Sequence, residues 1–185
     1  QSGIAHYFFT DDNAARNKLW PELFDVFAKL REVEHIPLTF MMQVDLARKK
    51  DGFTERAARA GCTQVFLGME SVNPANLSAE GKAQNKVEEY AGIIKSWHAV
   101  DVVTHAGYII GLPYDTESGV ARDIETLKEL GIDIVSFFML TNLPGSADHQ
   151  DATRSCVVMD ADLNRYDTHH ATLDHAHMSR EAWER

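Results

Sequence analysis

Short apolar runs alternate with amphipathic segments of helical period along the first 140 residues, and few folds accept that pattern. Residues 5–10, 38–44, 63–69, 102–110 and 132–140 read as strands. Residues 17–34 read as a helix, with Leu19, Leu23, Phe24, Phe27 and Leu30 at helical spacing and Pro21 suited to a first turn. A short helix over 53–60 is closed by Gly61. Residues 85–100 put Val87, Tyr90, Ile93, Ile94 and Trp97 on one helical face, and a helix over 117–130 is closed by Gly131. The strands are nearly continuous apolar runs, which means burial on both faces and a parallel α/β sheet with helices outside. An open doubly wound sheet and a barrel both remain open here. Thr10 leads into Asp-Asp-Asn, not a phosphate-binding glycine loop, which argues against a nucleotide-binding Rossmann unit.

Composition narrows the function classes. Eighteen Lys and Arg against 28 Asp and Glu leave a formal charge of −10, which disfavours nucleic acid and anionic membranes as partners. No apolar stretch approaches the ~20 residues of a membrane span. The two cysteines, Cys62 and Cys156, exclude a disulfide scaffold and a self-contained four-thiolate metal site; a buried thiol is the expected role of each. A cytoplasmic setting is the expectation. The chain opens with Gln1 close to an apolar run and closes on a capped segment, 179–185, of about a turn and a half. Both ends suggest a piece of a larger protein.

In parallel α/β folds, chemistry gathers at the C-terminal ends of strands. Asp11, Asp12 and Asn13 follow the first strand; Gln43 and Asp45 lie at the second; Glu70 and Ser71 follow the third. Ala106-Gly107-Tyr108-Ile109-Ile110-Gly111-Leu112-Pro113 holds the end of the fourth, and Thr141-Asn142-Leu143-Pro144-Gly145 follows the fifth. Five such endings together make a binding face at one rim. Each has a plainer reading too. Asp11-Asp12-Asn13 suits a helix cap or Asx turn, Glu70 suits a rim ion pair, and Gly107 and Gly111 suit bulges.

At these stretches, from Phe9-Thr10-Asp11-Asp12-Asn13 through Phe66-Leu67-Gly68-Met69-Glu70-Ser71 to Thr141–Ser146, the sequence resembles the radical S-adenosylmethionine superfamily. Within it, the likeness is to the branch often carrying a cobalamin-binding domain. The resemblance covers roughly residues 5–150 and implies an incomplete parallel (β/α) barrel, with five of the family's six β/α units followed by an irregular or helical tail. Residues 1–145 are expected to form the core and 146–185 a histidine-rich tail or cap. The family's CxxxCxxC loop is not in this sequence, so a 4Fe–4S cluster, and cobalamin if used, belong to an intact parent. The chain alone is expected to be inactive.

The resemblance also implies roles. Asp11 and Asp12, with Asn13 beside them, would meet the methionine ammonium of S-adenosylmethionine. Glu70, with Ser71, would hold its ribose. Gly107, Ile109 and Gly111 would wall the adenine. The backbone of Leu140, Thr141 and Leu143 would meet the adenine edge, and Gln43 would point inward near sulfonium or substrate. In the intact enzyme a 5′-deoxyadenosyl radical would attack a small-molecule substrate that the sequence does not identify.

The tail holds five of the nine histidines, at 149, 169, 170, 175 and 177. Capping or surface roles are favoured over a metal site. Two other classes stay open: a parallel α/β ligand-binding or scaffold domain without a cluster, and a metal-dependent (β/α) barrel enzyme. Loss of a flanking β/α unit would leave the first strand bare, and self-association through it is expected.

Overall fold

The computed structural model describes residues 3–11, 13–46, 52–82 and 85–184. Its strands are β1 (His6–Phe8), β2 (Thr39–Val44), β3 (Cys62–Glu70), β4 (Val103–Ile110) and β5 (Ile134–Met139). Its helices are α1 (Trp20–Glu32), α2 (Phe53–Ala60), α3 (Pro74–Ala79), α4 (Val87–His98), α5 (Glu117–Glu129), α6 (Ala147–Arg154) and α7 (Arg180–Trp183). The strands are parallel and ordered β1-β2-β3-β4-β5. Each strand adds beside its predecessor, and the order never reverses. A doubly wound sheet needs such a reversal, so the winding is that of a partial (β/α) barrel.

The chain divides into two compact units. The first holds the described residues up to 69, 85–107 and 127–136. In it β1 runs in register with β2, Phe8 opposite Met41, and β2 with β3, Gln43 opposite Phe66. Alternation sends Phe40, Met42 and Val44 to the helix side, where they are buried. Phe40 stacks on Phe9 at 4.5 Å and meets Phe27 edge-on at 5.8 Å. Phe53 of α2 touches both Phe24 of α1, at 5.4 Å, and Trp97 of α4, at 6.1 Å. This aromatic contact explains why the 17–34 and 85–100 patterns fold as helices on that face. Gly61 ends α2 with φ +110, and a Cβ there would lie 2.5 Å from the Leu38 carbonyl oxygen, so only glycine fits.

The second unit holds residues 70–82, 108–126 and 137–184. Its core joins Val120 and Ile124 of α5 to Ala171, Leu173, Met178 and Trp183. The segment after residue 141 is therefore ordered and packed. An antiparallel bridge pairs Met159 with Leu173, and Arg165 binds Glu184 at 2.8 Å.

Two helices were not anticipated, and both start on side-chain caps. Asn73 Oδ1 accepts from the Ala75 N–H at 3.0 Å to begin α3, and Ser146 Oγ accepts from the His149 N–H at 3.2 Å to begin α6. β1 is shorter than the expected 5–10, since an edge strand has a ladder on one side only. Cys62 is buried as expected, with its thiol pushed up to about 12 by burial. Cys156 corrects the expectation: it is exposed, in a turn with φ +54.

Candidate functional site

The strand-end residues fall into the two units, and the structure treats each group differently. In the first unit, Asp11 Oδ1 accepts from the Asn13 N–H at 2.9 Å, the Asx turn weighed against a ligand role. Asn13 is buried and its side chain accepts from the Asp45 N–H at 3.4 Å. Asp45 in turn pairs with Arg16 at 3.7 Å. Asp12 lies outside the described residues. Gln43 sits on the face of β2 that alternation turns away from the helices, and Gly107 is buried in β4. A cavity of about 370 Å³ opens in this unit among Val44, Asp45, Phe53, Leu67 and Trp97.

In the second unit the residues are drawn together by hydrogen bonds. Glu70 ends β3 with φ +64, a conformation that costs a non-glycine residue on the order of 1–3 kcal/mol. Its carboxylate is partly open to solvent, with the Lys82 ammonium 3.6 Å away. Ser71 is fully buried; its Oγ accepts from the Asn73 N–H at 3.0 Å, and its hydroxyl bonds to the Tyr108 oxygen. Tyr108 donates to Asp123 at 2.6 Å, and burial raises both groups above their ordinary ranges.

The loop after β4 is held by a residue that sequence reasoning missed. Buried Asp115 accepts from the Gly111 N–H at 2.9 Å, the Leu112 N–H at 3.0 Å and the Asn76 amide at 2.6 Å. The Asn76 carbonyl oxygen accepts from the Tyr114 N–H at 2.9 Å. Burial pushes the Asp115 carboxyl up, opposed by those three donors. An acidic side chain four residues after Gly111, in a run otherwise apolar or prolyl, was the available signal.

The tail completes this end of the unit. Trp183 Nε1–H donates to the Ile110 carbonyl at 3.0 Å, and its ring occupies the space beside Gly111, φ +102. A Cβ on Gly111 would sit 1.9 Å from Trp183 Cζ2. The close approach foreseen at Gly111 is thus made by an indole of the chain itself. His175 Nε2–H donates to the Leu112 carbonyl at 3.0 Å, while its Nδ1 accepts from the His177 N–H at 3.1 Å. Those two bonds fix one tautomer. Leu140 gives its N–H to the Ile110 carbonyl at 2.8 Å, Thr141 donates to the Met139 carbonyl at 3.0 Å, and Leu143 is exposed. Ile109 is half-buried in β4.

Among the described residues no three His, Cys, Asp or Glu side chains are grouped to hold a metal ion. His170 instead pairs with Asp167 at 2.9 Å, holding that carboxyl below its usual range. The two cysteines do not fit an iron–sulfur cluster: one is a buried thiol in the first unit, pushed up to about 12, and the other is exposed at a turn of the second unit. No helix of the described residues is long and apolar enough to cross a membrane.

No family model matches the chain. It is 28% identical over 167 residues to the bacteriochlorophyllide d C-12(1)-methyltransferase of Chlorobaculum tepidum, covering 89% of this chain and 35% of that protein. It superimposes on the radical S-adenosylmethionine methyltransferase TsrM of Kitasatospora setae, solved with cobalamin and a 4Fe–4S cluster. There the TM-score is 0.73 at 18% identity, over 83% of this chain and 29% of that one. The coproporphyrinogen III oxidase of Escherichia coli, a radical S-adenosylmethionine enzyme, gives 0.64 at 17% identity over 76% and 33%. The chain has the fold of the radical S-adenosylmethionine barrel and spans about a third of the length of these proteins.

Proposed function

We propose that the chain is the S-adenosylmethionine-facing part of a longer radical methyltransferase acting on a conjugated-ring substrate, and is inactive alone. The observation that carries this reading is Glu70, a carboxylate fixed in left-handed backbone at the tip of a parallel strand. Strain of that kind persists where a side chain must be aimed, and a carboxylate so aimed accepts the paired hydroxyls of a ribose. The loop after β4, locked by the three hydrogen bonds to Asp115, supplies rigid backbone beside which a purine can sit. Likeness to proteins named as methyltransferases supports the reaction class, and the bacteriochlorophyllide named for one of them supports a conjugated ring.

S-adenosylmethionine, when bound and reduced, supplies the radical chemistry. The chain's own residues bind and orient it. Glu70 takes the ribose; Asp11 and Asp12 take the ammonium; Gly107, Ile109 and the Leu140–Leu143 backbone take adenine, the open side of Gly111 being held by Trp183; Gln43 faces the substrate side. The cluster, and cobalamin where used, are held by other parts of the intact protein. We also propose self-association of this chain through β1, whose Tyr7 and Phe8 are exposed at the sheet edge.

Calorimetric titration with S-adenosylmethionine tests the central claim. Saturable binding that Glu70→Gln weakens by about tenfold supports it, since a charged acceptor contributes roughly 1.5–3 kcal/mol. Equal binding by both proteins, or none by the unaltered chain, rejects it.

A further inference from the structure

A row of side chains on the helix-free face of the first unit is used by no role above. Gln64, His105 and Ser136 stand at the third positions of β3, β4 and β5. Gln64 Nε2–H donates to His105 Nδ1 at 3.1 Å, and His105 Nε2–H donates to Ser136 Oγ at 2.8 Å. Burial lowers the His105 pKa, so the imidazole stays neutral and the bond directions persist. Three groups are left over, the Gln64 Oε1 acceptor, the second Gln64 N–H and the Ser136 hydroxyl donor. Apolar side chains continue the face: Phe66 meets His105 edge-on at 4.9 Å, and Met41 stands opposite Phe8 in the register of β2 and β1. Phe8 is 51% exposed. None of these residues carries a carboxylate, ammonium or guanidinium group.

A face of this kind discriminates by chemistry. It offers no cation to an anionic ligand and no anion to a cationic one. It offers aromatic and thioether surface across several strands, each about 4.8 Å from the next, and only neutral donors and a neutral acceptor at its edge. We propose that this face receives the substrate, a flat conjugated macrocycle lying on Phe8, Met41 and Phe66, with a peripheral ring carbonyl bonded by the Ser136 hydroxyl at the edge. His105 is a positioning residue that orients Gln64 and Ser136. The inference rests on the methyltransferase reading for the reaction, and it assigns the residues that select the acceptor.

The probe is metal-free pheophorbide a, a chlorin with a ring ketone and pyrrole N–H groups, added to the 185-residue chain in dilute non-ionic detergent. Its fluorescence anisotropy is expected to rise saturably. His105→Ala and Ser136→Ala should each weaken binding by about tenfold with melting temperature held, and His105→Asn, which keeps a donor and an acceptor, should recover part of it. Val158→Ser removes an apolar side chain that is 72% exposed elsewhere and should change nothing, which separates the face from general stickiness. No saturable binding by the unaltered chain, equal binding by His105→Ala and Ser136→Ala, or an equal loss in Val158→Ser overturns the inference. S-adenosylmethionine titration reads the parent proposal separately. Its success with chlorin failing removes only this site; chlorin binding without S-adenosylmethionine binding removes the methyltransferase reading and the substrate role that rests on it.

Discussion

Gly111 and Trp183 are tied by geometry as much as by bonding. A methyl at 111 would have to displace the indole and would also sit at φ +102. Gly111→Ala should therefore cost about 2–4 kcal/mol in urea unfolding, and Trp183→Ala in the same chain should return part of it. Asp115 makes a second prediction. Asp115→Asn turns an acceptor into an amide that faces the Asn76 amide, donor against donor, at an expected cost of about 1–3 kcal/mol. The exchange Asn76→Asp with Asp115→Asn restores the pair and should recover most of that loss in the same assay. The carboxyl's raised pKa sets the sign of its pH dependence. Its contribution is full below the unfolded value and falls as pH rises through the folded one, so Asp115→Asn should flatten that part of the stability profile.

At the scale of elements, α4, β4 and the turn into β5 are clamped by one carboxylate. Asp133 Oδ2 accepts from the Thr104 N–H and the Thr104 hydroxyl, each at 2.8 Å, and lies 2.9 Å from His98 Nε2. The Thr104 backbone donor leads in holding Asp133 below the carboxylate range. The depressed value means its support is present above the unfolded pKa and is lost as pH falls through the folded one. Asp133→Asn should remove that acid-side slope and cost about 1 kcal/mol at neutral pH, read by thermal melts across pH. β1 is the other exposed element. Sedimentation at increasing concentration should show association of the unaltered chain, and Phe8→Lys, which puts a charge on the bare edge, should abolish it. A monomer at all concentrations counts against the β1 proposal.

For the molecule as a whole, the body was legible because it follows periodicity. Five strands and the four helices between them appear in the expected order, with ends shifted by a few residues. Barrel against doubly wound sheet was not decidable from the strands, since strand order is a long-range fact. Nor were the short helices α3 and α6, whose patterns are too brief for a period and rest on single caps at Asn73 and Ser146. Of the candidate site, the acidic strand ends were visible, but their partners were not. Asp115 and Asn76 lie 39 positions apart, and Ile110 and Trp183 lie 73 apart; only folding reveals such pairings. The cross-strand row Gln64, His105 and Ser136 left a faint mark, one polar residue at the same place in three apolar runs. The wedge of Trp183 against Gly111 has a consequence for descent. Position 111 cannot drift by itself, so any homologous chain that gains bulk there must have surrendered the large ring at 183.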